Sequence, residues 1–186
     1  MQLPNLSIPL PIPTARLIIR QFIPDDIAGY LAFMLDPQST QYLAFQDSQK
    51  TPEGATELLN FVCSSYRSEN PIHAYAIAFK DSDEYVGSCG FASEALNCVE
   101  IYYSINSQYR RQGYAYEATK ALINALKSNP FISEIRAYSA PENQASLNLA
   151  QKLGMISKGQ VVHPHSGLEG FLYVLNCKNE RSSEGG

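Results

Sequence analysis

Apolar residues in this chain recur at helical spacing ahead of His73 and at alternate positions after it, and that switch fixes the order in which its elements are laid down. Within Asp25 to Leu35, the residues Ile27, Tyr30, Leu31, Met34 and Leu35 form one stripe on a helix that Pro37 stops. Ala55, Leu58, Leu59, Val62 and Tyr66 mark a second helix. Thr51, Pro52 and Glu53 open it, because Thr accepts from an otherwise unpaired amide, Pro fits the first turn and Glu suits the positive end of the dipole. Beyond His73 the alternation predicts strands over Ala74 to Phe79, Tyr85 to Ala92 and Cys98 to Ile105, joined as an antiparallel meander. Arg16 to Phe22 reads as a strand ahead of the helices. The second half predicts a helix over Tyr114 to Lys127, a strand over Ile135 to Ser139, and a helix from Asn143 to Leu153 that Gly154 ends. A hairpin of Ile156 to Val162 and Gly170 to Leu175 follows. Strands in succession and then strand, helix, strand imply a mixed sheet with helices on both faces.

A chain of 186 residues buries roughly 70% of its extended surface, enough for one complete core. Met1 to Pro13, with four prolines, is expected to be a flexible arm; residues 14–177 form the single domain, and the polar stretch 178–186 is a disordered tail. Apolar runs fall short of the ~20 residues that a bilayer demands, which excludes a transmembrane protein. The first residues lack both an uninterrupted apolar centre and a basic residue before Arg16, so they make a poor signal peptide, and a cytoplasmic location is expected. A net charge of −4 disfavours nucleic acid as a partner. Cys63, Cys89, Cys98 and Cys177 show no paired spacing, and His73, His163 and His165 lack acidic partners at ligand spacing, so no metal is expected.

The sharpest local feature is Cys98 to Lys120, a strand, a loop holding Arg110, Arg111, Gln112 and Gly113, and a helix. Amides at a helix N-terminus point outward unpaired, and the dipole adds about half a positive charge there. Gly113 permits a phosphate to approach the backbone, Ala115 keeps the first turn narrow, and the two arginines supply complementary charge. The segment is thus an anion cradle, or else a solvated basic loop ahead of a surface helix.

Arg110-Arg111-Gln112-Gly113-Tyr114-Ala115 resembles the Q/R-x-x-G-x-G/A signature of the GNAT superfamily of N-acetyltransferases. The run VEIYYSI before it, Tyr116-Glu117-Ala118 after it, Glu142 to Ser146 and Lys152 to Met155 are similar to the superfamily at its usual spacing. The opening TARLIIRQFIPDDI is similar to the branch of RimJ/RimL-type ribosomal-protein acetyltransferases, so the resemblance spans about Thr14 to Leu175. It implies an α/β protein of α+β type with a mixed, mostly antiparallel central sheet of about seven strands and four helices on its two faces. The strands at Cys98 to Ile105 and Ile135 to Ser139 would splay, with the pantetheine arm of acetyl-CoA between them. Backbone groups of Tyr103, Ser104 and Ile105 would pair with that arm, and amides from Gln112 through Tyr114 to Ala115 would hold the diphosphate. Asn143 would touch the cofactor arm, or merely cap its helix.

Acetyl transfer needs a neutral amine, and the resemblance makes Glu100 the first candidate base, acting through water; otherwise it is a strand carboxylate facing solvent or an arginine. Glu100, Tyr102 and Ser104 share one strand face, which makes Tyr102 a second proton carrier if it points at the cleft. The superfamily commonly places a Tyr as general acid four residues after Ser146, where this chain has Ala150. Ser146 could bond the sulfur or its bridging water, or be a surface hydroxyl. His163 and His165 are candidates for the acceptor side. The implied reaction is direct transfer from acetyl-CoA to a primary amine, with no metal: an α-amino group of a protein or peptide, or a small-molecule amine or amino acid. A silent acyl-CoA-binding domain is the reading from another class, and the protein is a monomer or homodimer.

Overall fold

A computed structural model describes residues 6–177. Eight strands form one sheet: β1 (Ile12–Pro13), β2 (Leu17–Arg20), β3 (Ala74–Phe79), β4 (Tyr85–Ala95), β5 (Cys98–Ile105), β6 (Glu134–Ser139), β7 (Ile156–Val162) and β8 (Glu169–Asn176), in spatial order β1-β2-β3-β4-β5-β6-β8-β7. Every neighbouring pair is antiparallel except β5 and β6, which run parallel because α4 (Tyr114–Lys127) crosses between them. The other helices are α1 (Ile27–Met34), α2 (Pro37–Thr40), α3 (Pro52–Ser65) and α5 (Gln144–Lys152).

The sheet has a core on each face. Alternate residues such as Ile77, Val99, Ile101 and Ile135 meet Leu122, Leu126 and Ala150 from α4 and α5 on one side. On the other, Ala76 and Tyr85 meet Phe33, Met34, Leu59 and Val62 from α1 and α3. The ring of Tyr85 lies edge-on to Tyr30 and Phe33, with centroids 6.2 and 6.5 Å away, and this aromatic layer forms a rigid floor beneath the helices.

The mixed, mostly antiparallel sheet agrees with expectation, with two additions. β1 raises the strand number from seven to eight; its two residues are too few to show a period, and Pro13 is tolerated because β1 is an edge. The single turn of α2 makes a fifth helix. There the carboxylate of Asp36 accepts from the amides of Gln38 and Ser39 at 3.0 and 3.2 Å, and Pro37, expected to stop a helix, starts one. The flexible arm expected over 1–13 also differs from what residues 6–13 do: Leu6 and Ile8 are buried in the α4 face of the core, and β1 pairs with β2. Apolar residues between prolines anchor this segment although no periodicity reveals them. Met1 to Asn5 and the tail at 178–186 lie outside the described residues. Among the described residues, no helix is long and apolar enough to cross a membrane.

Candidate active site

β5 and β6 pair only at Cys98 with Glu134, Val99 with Ile135 and Glu100 with Arg136. Past Glu100 the strands part: β5 stays on β4 as far as Ile105 against Gly87, while β6 stays on β8 as far as Ser139 against Phe171. A cavity of about 500 Å³ opens at the parting. Glu100 to Ser104 line one side, Tyr138 to Ala140 with Asn143 and Ser146 line the other, and α1, α3 and the loop at 42–45 close it over. Among the described residues, the edge of β5 along Ile101 to Ile105 has no strand partner toward β6, so the alternate backbone groups that point away from β4 face the gap and can meet an extended ligand. The carbonyl of Ile105 is an exception, accepting from Arg110 Nε at 3.4 Å.

At the far end of this edge, Gly113 caps α4 in the left-handed conformation, at φ +83°. The first helical bond at this end runs from the Glu117 amide to the Gly113 carbonyl at 3.1 Å, which leaves the preceding turn's amides facing outward. Arg111 also stands in the left-handed region, at φ +62°, a strained choice for a residue with a side chain. The guanidinium of Arg110 donates to the Gln38 carbonyl at 2.7 Å, so it ties α2 to the loop. The sequence reading overlooked Arg16: it stacks on the Tyr114 ring at 4.4 Å, donates to the Gln112 carbonyl at 3.0 Å and pairs with Glu117 at 2.8 Å. Burial by itself would raise the Glu117 carboxyl, but hydrogen bonds from Thr14 and from Arg16 hold it below its ordinary value.

Glu100 sits where the strands part, and both its oxygens face His163 Nε2, at 3.2 and 3.1 Å. The Ser166 amide donates to His163 Nδ1 at 3.0 Å, so Nδ1 is the acceptor and Nε2 carries the hydrogen toward Glu100. The Tyr138 ring packs edge-on against this imidazole at 4.4 Å, while its hydroxyl donates to Glu94 at 2.8 Å. Burial and that carboxylate push the Tyr138 phenol up to about 12. The ring of Tyr102 lines the cavity and is 39% exposed, while its hydroxyl lies close to Gly90, and desolvation holds the phenol above its usual range. His165 lies beside His163, with ring centroids 5.8 Å apart.

On the opposite side of the gap, the Asn143 side chain accepts from the Ser146 amide at 3.2 Å and so caps α5 while also facing the cavity. Ser146 Oγ lies 3.1 Å from the Tyr103 hydroxyl. Burial raises the Tyr103 phenol, partly offset by that hydrogen bond. Ala150, on the buried face of α5, contributes no proton donor. Ser139, another residue the sequence reading passed over, is 7% exposed, lines the cavity, and its hydroxyl has no partner among the described residues. A buried hydroxyl left unpaired at the gap suits an amide-bearing arm lying there. Among the described residues, no three His, Cys, Asp or Glu side chains converge as metal ligands would.

A sheet parted beside a carboxylate, with bare helix amides at one end of the gap, defines an acyltransferase of the GNAT fold. The acetyltransferase (GNAT) domain model matches residues 16–156, and the chain belongs to that family. It is 25% identical over 148 residues to the uncharacterized N-acetyltransferase p20 of Bacillus licheniformis, a match covering 78% of this chain and 82% of that protein. The GNAT acetyltransferase structure from Bacillus anthracis superposes with a TM-score of 0.76 at 22% identity, covering 90% of this chain and 99% of the other. The RimL ribosomal L7/L12 α-N-protein acetyltransferase in complex with coenzyme A gives 0.73 at 15% identity, over 90% and 98%.

Proposed function

We propose that this acyltransferase moves acetyl from acetyl-CoA to the α-amino group of a protein or peptide, by direct transfer with both substrates bound. The observation that carries the reading is the parting of β5 from β6 at Glu100, the one carboxylate among the described residues that line the cavity opening there. Acetyl-CoA supplies an activated thioester carbonyl and a thiolate leaving group. The chain's residues bind, orient and deprotonate around it. Amides at Gly113 to Ala115 hold the diphosphate, with Arg16 bracing the Gln112 carbonyl behind them. The open edge of β5 and the Ser139 hydroxyl take the pantetheine amides. Glu100 receives the ammonium proton, directly or through a water, and His163 Nε2 holds the carboxylate in place. Tyr103 and Ser146 sit together at the gap and can hydrogen-bond the departing sulfur. Since Ala150 offers no acid and an alkyl thiol ionises near pH 8.5, positioning rather than acid catalysis would supply much of the rate. The protein N-terminus as acceptor draws support from the RimL likeness.

The experiment is a free-thiol release assay with acetyl-CoA against peptides and small amines, paired with calorimetry of CoA. Amine-dependent release is expected. Heat with CoA but no release above hydrolysis from any amine would leave a binding domain without catalysis, and no heat would remove the cofactor assignment altogether.

A further inference from the structure

The cavity has two unlike halves. Toward the β5–β6 gap it is lined by backbone, hydroxyls and Glu100; toward α1 and α3 it is apolar, with Phe33, Leu43, Phe45, Leu58, Phe61 and Ile72. Phe33 belongs to the buried floor, Leu43, Phe45, Leu58 and Ile72 are half-buried walls, and Phe61 is 62% exposed at the rim. Among the described residues lining the cavity, Glu100 alone is charged. Aromatic and aliphatic walls around a single carboxylate complement a ligand with one amino group and an otherwise apolar body.

We infer that the acceptor is a primary amine borne on a bulky aromatic or branched apolar group, which seats against Leu43, Phe45 and Leu58 while the nitrogen lies at Glu100. The inference rests on the acetyltransferase reading above and narrows its substrate class. Size allows it, since a dry cavity of about 150 Å³ already accepts benzene. A space of about 500 Å³ therefore holds a phenyl or isobutyl group beside the thioester end of the donor. Charge restricts it further. The carboxylate of a free amino acid would lose its hydration against apolar walls with no cation to replace it, and Glu100 would repel it. A peptide N-terminus, whose carbonyl is in amide form, and a free arylalkylamine share the chemistry that remains.

The test measures kcat/KM by thiol release for pentapeptides beginning with Phe, Leu, Ala or Ser, for phenethylamine against ethanolamine, and for free phenylalanine. Within the productive series, the bulky apolar member should lead the small or polar one by about 10–200-fold, the range a hydrophobic pocket can discriminate. Whichever series gives the higher values identifies the source, and free phenylalanine should trail phenethylamine at least about tenfold. Leu58→Asp, on a half-exposed helix face, should erase the preference while CoA still binds by calorimetry; Phe61→Ser at the rim takes its place if that variant does not fold. Equal kcat/KM for Phe and Ser peptides and for the two amines would overturn the inference and leave the acetyltransferase intact. If no amine releases thiol, that broader reading falls first, and calorimetry with phenethylamine decides the pocket: no heat at millimolar concentration, or unchanged heat in Leu58→Asp, overturns the inference as well.

Discussion

Glu100→Gln exchanges one carboxylate oxygen for an amide, keeps the shape, and still offers an oxygen to His163 Nε2, so it removes basicity and little else. Turnover should fall by about 10²–10⁴-fold at pH 7 with CoA affinity unchanged. An α-amine is mostly neutral above about pH 8, so the deficit should narrow as the pH climbs toward 9. A pH–rate profile of both proteins with one peptide checks this, and parallel profiles would strike Glu100 from the proton path. Gly113 makes a second single-residue case. At φ +83° a β-branched side chain is a steric outlier, and the Arg16 guanidinium already lies 3.4 Å from where a Cβ would sit. Gly113→Val should therefore shift the loop at a cost of about 1–3 kcal/mol, read by calorimetry as a CoA Kd raised roughly 5–150-fold. Gly113 stands out in the sequence by its residue type just ahead of a helix, and Glu100 becomes a candidate only through the family resemblance. Ser139 could not be picked out, since only the parting of β6 from β5 turns an ordinary strand serine into a buried hydroxyl without a partner.

Among the elements, α4 is the best defined in sequence and the least self-sufficient in structure. Its bounds follow from period and composition, yet its first turn is held by residues 101 and 103 positions earlier in the chain. Thr14 Oγ1 and the Arg16 amide donate to one Glu117 oxygen at 2.6 and 2.7 Å, and Arg16 Nε to the other at 2.8 Å. No local pattern announces such a pairing, because a charged residue on an exposed helix turn looks the same whether or not a distant loop meets it. α2 escaped notice for a related reason: Pro37 reads equally as the end of one helix and the start of another until the Asp36 carboxylate is seen to cap it. The clasp has a pH signature. The folded carboxyl of Glu117 titrates below its ordinary value, so its stabilisation is fully present above about pH 4.5 and is lost as the pH falls through the lower folded value. Since Arg16 is half-exposed, screening limits the effect to about 1 kcal/mol, or roughly 2–4 °C in melting temperature. Glu117→Gln should melt lower than the parent by that margin at pH 7, and the gap should narrow progressively as the pH falls below about 4.5. A gap that does not change with acidification would mean that packing, not charge, holds the turn.

At the scale of the whole molecule, the two faces of the sheet divide the labour. The α4 and α5 face carries the larger apolar core and the loop proposed for the diphosphate, while the α1 and α3 face carries the aromatic floor and the apolar half of the cavity. Strand and helix periods made this layering legible, since each strand's alternation tells which residues share a face. What they left out is how the sheet begins. The prolines at 4, 9, 11 and 13 dominate the composition of the N-terminal segment, yet the residues between them do the packing: Leu6 is 3% and Ile8 9% exposed, and Asn129 at the end of α4 donates to the Ser7 carbonyl at 3.2 Å. The segment thus runs past α4 before β1 joins the edge of the sheet and leads into Thr14 and Arg16, the two residues that clasp Glu117. If it is structural rather than a free arm, removing its anchor must reach the cofactor end as well as the global stability. Leu6→Ala deletes a buried side chain and should cost about 2–4 kcal/mol, lowering the melting temperature by about 5–15 °C. Because the clasp lies just downstream, hydrogen exchange at the Arg16 amide should accelerate in the variant before the β5 and β8 amides do. A melting temperature within about 1 °C of the parent, with Arg16 exchange unchanged, would restore the picture of a domain that begins at Thr14 and carries its first dozen residues as a passenger.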